Sequence, residues 1–129
     1  MAVLRTLCFA VALLAAVAAC GRRDAAGPPL EIAMRVHPDP PVVGIAAIEL
    51  QLRDASGAPV RGATVRIEGD MSHPGMAPSS ADAREAEPGT YCADLELTMA
   101  GDWTLLVDAR LASGEIARRT LKLPRVRGS

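Results

Sequence analysis

Between residues 71 and 76 the chain reads Met71-Ser72-His73-Pro74-Gly75-Met76, two thioethers and an imidazole within six positions. His37 and Met99 are the further residues of the same chemical kind. Thioether sulfur and imidazole nitrogen suit Cu(I), or Cu(II) where imidazole dominates. No thiolate or acidic triad accompanies them, which argues against a redox-active or hydrolytic metal centre. A second reading uses the same residues without a metal. Methionine is flexible and fills irregular gaps, so Met71, Met76 and Met99 could simply plug one end of a domain, with His73 solvated.

The elements that must position these residues alternate with a period of two, the pattern of half-buried strands. Leu30, Ile32, Met34 and Val36 share one face, and Ala46, Ile48, Leu50 and Leu52 another. Between them Pro38-Asp39-Pro40-Pro41 interrupts, because proline supplies no ladder donor. Asp54-Ala55-Ser56-Gly57 is a turn signal, and Ala63, Val65 and Ile67 follow as a third strand. Residues 70–79 form a loop. Ser80 to Glu87 could be a short helix by propensity, but Glu87-Pro88-Gly89-Thr90 fits a type II turn into Tyr91, Ala93, Leu95 and Leu97. The segment therefore reads as a weak, polar edge strand, with Asp82, Glu85 and Glu87 as solvated charges that discourage edge-to-edge pairing. Trp103, Leu105, Val107 and Ala109 then line a sixth strand, and Ile116 to Leu123 a seventh.

Seven short strands with turns at roughly ten-residue spacing predict an all-β, antiparallel β-sandwich. Strand parity tests whether the Met and His residues could meet. With seven strands running alternately up and down, His37, the 71–76 loop and Met99 fall at one end. Without the strand at 80–87, Met99 moves to the other. Cys92 lies seven residues from Met99, about 24 Å along a strand at ~3.4 Å per residue, so it falls at the opposite end and outside that site.

The first nineteen residues are of a different kind. A short segment carrying Arg5 leads into LCFAVALLAAVAA, an apolar run too short to span a bilayer comfortably. It ends at Val17-Ala18-Ala19-Cys20, which resembles the lipobox of bacterial lipoproteins. That resemblance implies cleavage before Cys20, lipid on its thiol and new amino group, and an address in the cell envelope. Gly21 rather than aspartate follows, so no inner-membrane retention signal is apparent and the periplasmic face of the outer membrane is expected. The domain plan is then a signal peptide at 1–19, lipidated Cys20 with a flexible linker to 29, a β-sandwich at 30–124, and a C-terminal tail at 125–129.

Without Arg5, 14 − 1 leaves 13 basic side chains against 15 acidic ones, a formal charge of −2. That balance argues against a nucleic-acid partner. The basic residues Arg118, Arg119, Lys122, Arg125 and Arg127 read as a solvated edge strand and its fraying end. With Cys8 in the signal and Cys20 acylated, Cys92 has no intramolecular disulfide partner. No Gly-rich phosphate loop, Cys-x-x-Cys or nucleophile–base pair is present, so the chain is not expected to be an enzyme.

Two resemblances bear on the fold and its use. Gly57-x-Pro59-Val60-x-Gly62-Ala63-x-Val65 resembles the turn and strand of many bacterial immunoglobulin-like domains. Met71-x-His73-x-x-Met76, Pro88-Gly89-Thr90-Tyr91 and Met99-Ala100-Gly101-Asp102-Trp103-Thr104-Leu105 together resemble the YtkA-like and FixH-like domains. This second resemblance covers roughly residues 30–124. It implies an immunoglobulin-like sandwich on the outer side of the cytoplasmic membrane, and in some members an association with copper handling or the assembly of copper-containing oxidases. FixH-like proteins usually carry a transmembrane anchor where this chain has a lipobox, which favours the YtkA-like side. The expected function is non-enzymatic binding by a lipid-anchored domain, with copper bound or delivered at the Met/His end. The alternative is a metal-free adaptor contacting another envelope protein.

Overall fold

The structure, a computed structural model, describes residues 25–129. The expected signal peptide and the expected lipidation site, Cys20, lie outside the described residues. The strands are β1 (Ala25–Ala26), β2 (Glu31–His37), β3 (Gly44–Arg53), β4 (Thr64–Asp70), β5 (Ser79–Glu87), β6 (Thr90–Leu97), β7 (Gly101–Arg110) and β8 (Ile116–Val126). The seven expected strands are all present, with the two-residue β1 added in front. All strand pairings are antiparallel, in the order β1-β8-β7-β4-β5-β6-β3-β2. No helix occurs among the described residues.

Within that order, β2, β3 and β6 form one sheet and β4, β7, β8 and β1 the other, the arrangement of an immunoglobulin-type sandwich. β5 belongs to both. Ser79–Ala83 pairs with β4, and from Arg84 onward the strand pairs with β6 across a register shift between Glu85 and Glu87. The expectation of a polar edge strand is therefore corrected: this segment carries the chain from one sheet to the other. Its inward residues, Ala81 and Ala83, are small enough to sit at the rim where the sheets converge.

Alternation places the core between the sheets. Ala46, Ile48, Leu50 and Leu52 of β3, with Leu95 and Leu97 of β6 beside them, face Val65 and Ile67 of β4 and Trp103, Leu105 and Val107 of β7. Tyr91 and Trp103, the two aromatics of this core, are its largest buried side chains. The Tyr91 hydroxyl donates to the Val60 carbonyl at 2.8 Å and accepts from the Ala63 N–H at 3.0 Å. It thereby clips the approach to β4 onto β6, and each polar group it buries is satisfied.

The remaining seam, between the outer edges of β2 and β8, is closed at both ends. Below, the Arg119 guanidinium donates to the carbonyls of Leu30 at 3.1 Å and Pro28 at 2.7 Å. Above, the Arg127 N–H donates to the Pro41 carbonyl and its carbonyl accepts from Val43 N–H. Two expectations change accordingly. Residues 25–29 are not free linker, because β1 is laddered to β8 and Arg119 holds the carbonyls that follow. The basic tail does not fray, because Val126 is buried and Arg127 is bonded into the fold.

Candidate metal-binding end

β2, β4, β6 and β8 run in one direction and β3, β5 and β7 in the other, so their connections collect at two ends. One end gathers His37 at the close of β2, the loop after β4, the β6–β7 turn with Met99, and the end of β8. All five sequence-derived candidates, His37, Met71, His73, Met76 and Met99, are at this end. The presence of β5 is what puts Met99 there.

The loop itself is compact. Pro74 and Gly75 occupy its central turn positions, Gly75 has φ +80°, and the Met76 N–H donates to the His73 carbonyl at 3.4 Å. Those features describe a type II turn with His73 and Met76 at its ends. A second bond, from His73 N–H to the Met71 carbonyl at 2.7 Å, curls the preceding residues inward. The three candidate ligands are thus carried on one short hydrogen-bonded loop. Asp70 fixes its start by accepting the Met71 N–H at 2.8 Å.

The side chains divide into two groups. Met71 and Met76 are half-buried against the core, while His73, His37 and Met99 are exposed. Met71 lies in the space left by Gly101, where an added Cβ would stand 2.7 Å from its terminal methyl. Met71 and His73 line one open depression of about 550 Å³, together with Asp102, Trp103 and Lys122. His37 lines a neighbouring groove and shares with that depression only the wall formed by Lys122 and Pro124. Among the described residues, no three His, Cys, Asp or Glu side chains are grouped to hold a metal ion. A site at this end therefore depends on thioether sulfur.

The end rests on the core through Trp103, whose indole N–H donates to the Met99 carbonyl at 2.9 Å and fixes the β6–β7 turn. Beyond it the β7–β8 register shifts, so that Asp102 stands opposite both Pro124 and Arg125. The Asp102 carboxylate accepts the Arg125 N–H at 2.8 Å, and Arg125 takes a left-handed φ of 56°. Sequence reading missed this bulge, and apart from Pro124, a residue that favours bulges, no local pattern announces it.

At the opposite end, Glu85 is also more than a solvated charge. Its two oxygens accept the N–H groups of Gly62 and Gly89, each at 3.1 Å, and these bonds hold its carboxyl below its ordinary pKa. Asp82 pairs with Arg66 at 3.1 Å on the exposed face. Cys92 is half-buried on the outer face of its sheet near Arg84 and Asp94, toward the end of β6 away from Met99.

Comparison with curated proteins and with solved structures found no match. A family model described as YtkA-like matches residues 24–108, which include β1 to β6, most of β7 and all five candidate ligands. The match covers well over half of the chain, and the chain belongs to the YtkA-like family.

Proposed function

We propose that this chain is an exported, lipid-anchored, non-enzymatic domain that binds Cu(I) through Met71, His73 and Met76, with His37 and Met99 as auxiliary ligands. The observation that carries the reading is the Pro74-Gly75 turn, which holds His73 and Met76 at its two ends with Met71 curled beside them. Two soft sulfurs and an imidazole on one loop favour Cu(I) over harder divalent ions. In the described conformation Met71 and Met76 rest on apolar neighbours, so ligation turns their thioethers outward about flexible side-chain bonds. Such a site is suited to holding and passing on a metal ion rather than to turning over a substrate. The proposed address is the periplasmic face of the outer membrane, with anchorage through Cys20. The proposed partner is an envelope protein that handles copper or assembles a copper oxidase. Anaerobic Cu(I) titration against a competing chelator tests the reading. Met71→Leu, His73→Ala and Met76→Leu should each weaken binding, whereas Cys92→Ser should leave the loop site intact.

One observation favours the adaptor reading. Ile45, 64% exposed, and Met99, 37% exposed, present apolar surface at the same end. A metal-free partner contact there predicts that Ile45→Ser, and not His73→Ala, abolishes association.

A further inference from the structure

The seam between the two sheets, which His37 also lines, carries a cationic pattern to which none of the proposed copper ligands contributes. Between the Arg119 crosslink and the Val42–Arg127 bridge, β2 and the last part of β8 leave a groove of about 810 Å³. Met34, Val36 and Leu123 form its apolar lining, and Arg35, Lys122, Arg125 and Arg127 are exposed around it. Asp39 is the one carboxylate in that lining. Four cations against one anion is an unusual concentration in a chain whose formal charge from Cys20 onward is −2.

The position of β1 says what faces this groove. Ala25 pairs with Arg119 and Ala26 with Arg118, antiparallel to β8, so β1 starts on the Thr120 to Val126 side of its ladder. Only residues 21–24 separate Cys20 from Ala25. Five residue steps span at most ~18 Å, whereas the β8 segment from Arg119 to Val126 is itself about 23 Å long. The tether is too short to carry a lipid on Cys20 round the domain. It keeps the β8 edge, and the groove beside it, turned toward the bilayer.

We infer that this basic seam is the face the domain lays on an anionic phospholipid surface, with lipid phosphates over Arg35, Lys122, Arg125 and Arg127. The tether argument rests on the acylation of Cys20 proposed above; the charge pattern does not. The test separates the two. All core residues lie within 30–126, so the leaderless chain from residue 20, made as Cys20→Ser, is purified without lipid. It is then sedimented with vesicles of phosphatidylglycerol and phosphatidylcholine in equal parts, or of phosphatidylcholine alone. Binding is expected to the mixed vesicles only and to weaken with added salt. It should fall about fivefold for each seam cation replaced by glutamine. Arg61→Gln, Arg84→Gln and Arg110→Gln, elsewhere on the surface, should leave it unchanged. If the fourfold seam variant does not fold, Arg35→Gln with Arg127→Gln carries the comparison, read beside the salt series of the parent. Equal binding to both vesicle types overturns the inference, as do an unaltered seam variant and an equal loss in the control set. Cys20 proving unacylated in cells would remove the tether and leave the vesicle result standing.

Discussion

Replacing Trp103 asks whether the Met/His end is held up by the core. The indole is 1% exposed, its N–H holds the Met99 carbonyl at 2.9 Å, and its Cε3 would stand 3.2 Å from a Cβ added at Gly69. Trp103→Phe deletes the hydrogen bond, a loss of about 0.5–1.5 kcal/mol, and leaves part of the indole volume unfilled. A total near 2 kcal/mol follows. Trp103→Ala removes the whole side chain and should cost ~3–5 kcal/mol, a large part of the 5–15 kcal/mol typical of a domain. Urea unfolding followed by far-ultraviolet circular dichroism gives both values, and the midpoint should move with an unchanged slope. The phenylalanine variant also releases the turn that carries Met99. Its Cu(I) affinity should fall if Met99 is a ligand and hold if the 71–76 loop suffices. Parent tryptophan emission at the water-exposed limit would refute the placement, and so would a loss below ~1 kcal/mol in Trp103→Ala.

Three further outcomes are expected. Tyr91→Phe strips the partners from the Val60 carbonyl and the Ala63 N–H, so it should lose about 1–3 kcal/mol by the same unfolding assay; an unchanged midpoint contradicts the clip. Glu85 has a folded pKa held below its ordinary 4.5 by the N–H groups of Gly89 and Gly62. Its stabilisation is therefore complete above that ordinary value and is lost as pH falls through the depressed one. Glu85→Gln should flatten that part of the melting temperature's acid limb, and parallel curves for parent and variant speak against the contribution. Cys20→Ala should leave the precursor uncleaved and unlabelled by lipid, whereas a processed, soluble product indicates an ordinary secretory signal.

The alternation of apolar residues made the strands and the inward faces of Tyr91 and Trp103 legible, because a period of two states directly which side chains are buried. It also placed Met99 correctly, although that depended on β5, whose Ala/Glu-rich sequence favours a helix until pairing with β4 and β6 overrides propensity. What periodicity cannot state is which edges meet. Arg119 reaches carbonyls 89 and 91 residues away, and Glu85 an N–H 23 residues away. The ladder of β1 to β8 and the passage of β5 between sheets are likewise properties of the closed fold, with no local signal. Around the candidate site, the composition of the loop and its place between two strands were visible. The Gly101 space that receives Met71 and the Asp102–Arg125 bulge beside it were not, since each depends on two strands meeting in register.

The central claim is that the loop after β4 is a Cu(I) site. Its most direct test is anaerobic competition titration of the chain from residue 20, carrying Cys20→Ser and Cys92→Ser so that no thiol contributes. It is compared with the same chain bearing Met71→Leu, His73→Ala and Met76→Leu. One Cu(I) is expected per parent chain, bound in preference to Zn(II) and lost in the triple variant. The methionine replacements nearly preserve volume and should each cost less than ~1.5 kcal/mol of stability, so the variant should remain folded. A parent that binds no Cu(I) under reducing conditions, or a folded triple variant that binds it as the parent does, contradicts the account.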